Sequence, residues 1–346
     1  MKKLIILLLL ICCTLLPVSA MEFTAPTAPE SAQPFMPEDR ETFSEGLWYI
    51  LKTAIGTLRP ELAGASGICL ALICVVLLLS ILSSFSQGSV STVRLTGAVV
   101  IGLLLLDSVN SMIQLGAKTI IEISEYGKLL LPVMTAAVAA QGGTTSSAAL
   151  YTGTVFFDTV LTSAIAKVVV PALYIYLCLC VAGSAVEQDM LKKVRDFVKQ
   201  VMTWCLKGIL YLFTGYISIT HVITGTVDAS ALKAAKLAIS GTVPVVGSIL
   251  SSASETILVS AGVMKNAAGI YGIFAILALC VSPFLQIGVQ YLLLKLTGAV
   301  CDLFGYKPAV ELIHNFSTGM GMVLAMTGTV CALLLVSLVC FMKGMT

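Results

Sequence analysis

Residues 240–270 read SGTVPVVGSILSSASETILVSAGVMKNAAGI. The stretch is too rich in Ser, Thr and Gly for an ordinary membrane helix and too apolar for a solvated loop. Pro244 has no amide hydrogen and disfavours helix at the residue before it, so a helix arriving here is expected to break. Glu255 is a lone acid among apolar neighbours. Backbone of this kind is tolerated at bilayer depth only where protein or a water-filled cavity satisfies its polar groups. The long apolar runs on either side would be the walls of such a cavity, and the working part of the chain is expected here.

Outward from this stretch, 58% of the 346 residues are hydrophobic and 11% are charged, with a mean hydropathy of +1.01. Soluble domains carry roughly a quarter charged residues. The balance points to an all-α, polytopic membrane bundle with broken or re-entrant helices and amphipathic helices on the membrane surface. The net charge of +2 is uninformative about nucleic acid, but no basic cluster exceeds the small one at 192–199, so no nucleic-acid partner is expected; the expected partner is the lipid bilayer. Of the eleven Cys, Cys301 alone lies outside the apolar segments, where buried thiols act as small apolar groups. Cys178 and Cys180 would point to nearly opposite sides of a helix and cannot share a metal. No phosphate-binding Gly-rich loop with Lys, GxSxG or HExxH occurs, and only two His are present. No enzyme, cofactor or metal site is expected, and an ATP-driven process would need its motor on another chain.

In order, residues 1–20 read as a signal peptide: Lys2 and Lys3, an apolar core, then Val18-Ser19-Ala20, with cleavage after Ala20. Residues 21–60 form an acidic, Pro-rich extracytoplasmic segment. Its first half is expected to be extended and mobile; 43–58 suit a short interfacial helix or a solvated linker equally. Residues 61–346 are the membrane domain, with about six spans of the required length at 62–84, 95–115, 148–184, 204–226, 266–294 and 320–342. Re-entrant segments are expected near 129–147 and 240–262, with helix breaks at Pro132 and Pro244 and a Gly-Gly-Thr-Thr-Ser-Ser interruption from Gly142. Residues 186–202 are amphipathic and are expected to lie along the membrane, on the cytoplasmic side because of Lys192, Lys193, Arg195 and Lys199. Residues 301–316 read as a second cytoplasmic surface piece, broken at Pro308.

Two regions share an order of parts: a span, an amphipathic helix, a proline (Pro132, Pro244), a small-residue break and an apolar run. Duplicated broken helices are a recurring way to build a membrane passage; chance resemblance of two apolar, Gly-rich regions is the alternative.

Charges within apolar runs are costly and mark either a functional site or a satisfied structural pair. Asp107, Asp158, Lys167, Lys207, His221 and Glu255 are the candidates for lining a passage or for holding helices together, and Glu122 and Glu125 belong to the same class. Asp158 and Lys167 would lie about 180° apart on one helix and about 13 Å along it, so each needs a partner elsewhere. His221 suits a helix-end hydrogen bond as well as a proton relay. Glycines such as Gly153, Gly262, Gly269, Gly272, Gly319 and Gly321 suit close helix packing.

The 240–270 stretch, together with the order of leader, acidic segment and spans, resembles the stage III sporulation protein AE family. The resemblance implies a membrane subunit of the channel-like, secretion-like complex joining mother cell and forespore. It would sit in the outer forespore membrane beside ring-forming subunits and a separate ATPase chain, and would serve late forespore gene expression and forespore integrity. It implies no residue-level active site. From the residues alone, a passage-forming or platform subunit, an autonomous secondary transporter of a small solute and a purely structural scaffold all stay open.

Overall fold

Residues 62–85 carry no charge and, at 24 residues, extend about 36 Å as a helix, enough for the roughly 30 Å hydrocarbon core. They form the second half of α1 (Phe43–Phe85), which starts on a capping box: the amide and hydroxyl of Thr42 both donate to the Glu45 carboxylate, at 2.9 and 2.7 Å. The computed structural model describes residues 25–37, 42–85, 90–186, 188–242 and 247–343. The expected signal peptide, the cleavage after Ala20 and the break at Pro244 lie outside them. α2 (Val90–Ala140) and α3 (Thr144–Ala164) follow, then a π-helical turn (Ile165–Val169), α4 (Val170–Val186), α5 (Asp189–Thr242), α6 (Gly247–Asp302) and α7 (Lys307–Lys343). Among the described residues there is no strand. Among the described residues, six helical stretches are long and apolar enough to cross a membrane, and each contains or largely coincides with one expected span. The protein is a multi-pass, all-α membrane bundle.

Several pieces expected to be separate are fused into long rods. The break at Pro132 is absent: α2 runs through it for 51 residues. Pro132 lies on the exposed side, so its ring displaces no core side chain, and buried Leu130, Leu131 and Met134 hold the helix across it. The chain turns at the interruption expected from Gly142, whose φ of 93° is accessible at low cost only to glycine. Residues 186–202 are not a separate surface helix, because from Asp189 they run unbroken into the fourth span as α5. No Gly or Pro occurs between Asp189 and Gly208 to stop it, and Met190, Val194, Phe197 and Val201 form an exposed apolar stripe. Pro308 begins α7 instead of breaking a helix, which suits its fixed φ, and the turn before it is made by Gly305 at φ 75°. Residues 247–262, the described end of the segment expected to be re-entrant near 240–262, open the 56-residue α6.

The 25–37 segment is packed, not mobile. The amide of Ala28 donates to the Tyr271 hydroxyl at 3.2 Å, and the Tyr126 hydroxyl donates to the Pro26 carbonyl at 3.3 Å. Its own Ala28, Ala32 and Phe35 are buried.

α7 is the axis of the bundle: it packs most extensively on α6, then α2, and its Phe316, Met320, Val323, Met326 and Val330 are fully buried. Helices approach closely at glycines. A Cβ at Gly116 or Gly127 of α2 would come within 2.8 or 2.9 Å of Val323 or Leu334 of α7, and one at Gly272 of α6 within 2.5 Å of Leu130.

Candidate functional site: a buried polar seam

Where α2, α3 and α7 meet, the apolar packing is interrupted by hydroxyls and one carboxyl. Asp158 of α3 is 2% exposed and accepts a 2.5 Å hydrogen bond from Ser124 Oγ of α2. One turn earlier on the same face of α3, Thr154 Oγ1 lies 2.8 Å from Ser337 Oγ of α7, both fully buried. The residues come together because Thr154 and Asp158 are four apart and therefore share a helical stripe. Gly153 next to them lets Tyr216 of α5 approach, since a Cβ there would overlap the tyrosine ring. Asp158 Oδ1 has no hydrogen-bond partner among the described residues. A short hydroxyl–carboxyl bond beside an open acceptor, inside a membrane bundle, can hold a proton or receive a cationic group. Buried polar groups otherwise cost free energy there.

Asp107, Lys167 and Lys207 do not join this seam. Asp107 is on the exposed side of α2, and Lys167 is exposed within the π-helical turn. That turn has a local cause: Pro171 lies four residues after Lys167, and the widened turn relieves the clash its ring would make with the Lys167 carbonyl. Lys207 is exposed and lines a groove between α5, α6 and α7. The side chains of His221 and Glu255 lie outside the described part. Asp158 and Lys167 are not paired, as their spacing requires.

Sequence reasoning missed Ser124, Thr154 and Ser337, which are single hydroxyls inside apolar runs and give no pattern of their own. It also missed Asp228 of α5, 1% exposed, which accepts hydrogen bonds from the amides of Thr145 (3.1 Å) and Ser146 (2.7 Å) at the start of α3. No group of three or more His, Cys, Asp or Glu able to hold a metal occurs among the described residues.

A family model described as stage III sporulation protein AE matches residues 40–344, nearly the whole membrane domain. The chain belongs to the stage III sporulation protein AE family. It is 24% identical over 277 residues to a stage III sporulation protein AE of Bacillus subtilis (strain 168), a match covering 80% of this chain and 68% of that one. No solved structure matches it. Membership of the stage III sporulation protein AE family gives the chain a role in sporulation, exercised by a multi-pass membrane protein.

Proposed function

We propose that this chain is the polytopic membrane subunit of a channel-like, secretion-like complex between mother cell and forespore. It would reside in the outer forespore membrane and act with ring-forming subunits and an ATPase on other chains. Forespore integrity and late gene expression in the forespore would depend on it. The observation that carries this reading is the Ser124–Asp158 seam: a family member with six apolar spans keeps a carboxyl and three hydroxyls buried where three helices meet. A scaffold built for stability alone gains nothing from an unpaired acceptor at such a place.

Affinity purification of the tagged full chain from membranes of sporulating cells tests the assignment. Recovery of ring-forming subunits and of an ATPase is the expected result. A chain that purifies alone and by itself moves a solute into liposomes would establish the transporter reading instead.

A further inference from the structure

A groove of about 790 Å³ opens on the flank of the bundle between α5, α6 and α7, apart from the Asp158 seam. α5 and α7 run away from one end of the bundle and α6 runs toward it, as the 3.1 Å contact of Arg195 with Glu311 requires. Three cationic or titratable groups of the lining therefore gather at that end: Lys199 on α5, Lys295 on α6 and His314 on α7. Lys207 lies about 12 Å further along α5, close enough for its aliphatic stem to lie on the groove and its amine to reach back.

No Asp or Glu lines the groove, and no ion pair among the described residues involves Lys199, Lys207 or Lys295. The nearby carboxylate, Glu311, is engaged by Arg195 and Lys192 at 3.1 and 3.8 Å. Lys295 has instead the Tyr291 hydroxyl at 3.4 Å and that ring beneath it at 5.6 Å.

Away from the cationic end the lining becomes apolar and smooth. Gly321, Ala325 and Gly328 of α7 share one helical face, and the rings of Tyr291 and Phe284 lie against the two glycines, where a Cβ would come within 3.3 Å of each ring. From His314 to Ala332 the groove follows α7 for about 27 Å, close to the thickness of a hydrocarbon core. All three helices at this level are membrane-spanning stretches, so the groove opens on lipid. α5 makes few direct contacts with α6 or α7, which leaves room for a third body between them.

We propose that this groove binds an anionic phospholipid. The headgroup phosphate is held by Lys199, Lys295 and His314, with Lys207 extending toward it, and an acyl chain lies over Ala325 and along the rings of Tyr291 and Phe284 that cover Gly321 and Gly328. The charge pattern selects the headgroup and the apolar floor accommodates the chain. A soluble phosphate would use only the first, and a partner helix would need carboxylates placed at the cationic end.

The test is lipid titration of the purified full chain in neutral detergent, followed by native mass spectrometry. The probes are phosphatidylglycerol, phosphatidylcholine with the same acyl chains, and glycerol phosphate. Preferential retention of phosphatidylglycerol is expected, with the preference falling about fivefold for each lysine removed in K199Q and K295Q. The K199R/K295R double variant keeps the preference, which separates loss of charge from loss of fold. Ala325→Phe loses the lipid while keeping every charge. Equal retention of phosphatidylcholine, a preference unchanged in K199Q/K295Q, or equal occupancy by glycerol phosphate overturns the proposal. Crosslinking from position 325 to a partner helix in place of lipid overturns it as well.

Discussion

The carboxylate of Asp228 accepts a 2.7 Å hydrogen bond from the amide of Ser146, so the cap of α3 is supplied by α5. Burial works to raise the pKa of this group. The hydrogen bonds from Ser146 and Thr145 work the other way and prevail, holding the carboxyl below its usual range. A folded pKa below the unfolded one stabilises the fold above the ordinary carboxylate value, about 3.9, and that contribution is lost as pH falls through the folded value. Asp228→Ala is expected to lower stability by about 1 kcal/mol at neutral pH. Thermal unfolding of the purified protein across pH checks it: the gap between parent and variant should close in acid, and a gap that is constant down to acid pH contradicts the cap.

Gly153 and Tyr216 are a matched pair, with no room between them for a Cβ. Gly153→Ala is expected to cost about 1–3 kcal/mol through overpacking. Tyr216→Ala in the same chain should recover part of that loss, although it forfeits the 3.0 Å hydrogen bond to the Ala149 carbonyl. Purely additive losses in the double variant would show that the two do not meet.

The packed 25–37 segment makes a different kind of prediction. Removing the hydroxyls in Tyr126→Phe and Tyr271→Phe deletes the hydrogen bonds to Pro26 and from Ala28, each worth about 1 kcal/mol net. Limited proteolysis should cut this segment faster in the double variant than in the parent. Identical cleavage rates would mean that the segment is held by its apolar residues alone.

Much of this architecture can be read in the sequence, and the failures have physical causes. The six spans follow from run length and missing charge, as at Leu72, Val76 and Leu79 of α1, a signal that bilayer thickness makes strong. Where helices end was harder to read. Pro132 looked like a stop but lies on an exposed face within an unbroken helix, whereas the interruption expected from Gly142 does form the turn. The amphipathic 186–202 piece looked self-contained because its pattern differs from the span that follows, yet nothing in it ends a helix. Asp158 stood out as an embedded acid, whereas Ser124 and Ser337 are distant in sequence and chemically modest. Tertiary contact alone brings them to the seam.

A topology prediction follows from the rods. In a chain cleared of native cysteines, Lys193→Cys should react with an impermeant thiol reagent only from the cytoplasmic side, and Ser260→Cys, on an exposed position before the fifth span, only from the opposite side. Labelling of both from one side would overturn the alternation of spans.

The account stands or falls on the Ser124–Asp158 seam as the working part of a sporulation membrane subunit. The direct measurement is a late forespore reporter in cells whose sole copy carries Asp158→Asn, with membrane levels of the protein matched to the parent. Loss of reporter expression at unchanged protein level is the predicted result, and parental expression from the Asp158→Asn chain would contradict it.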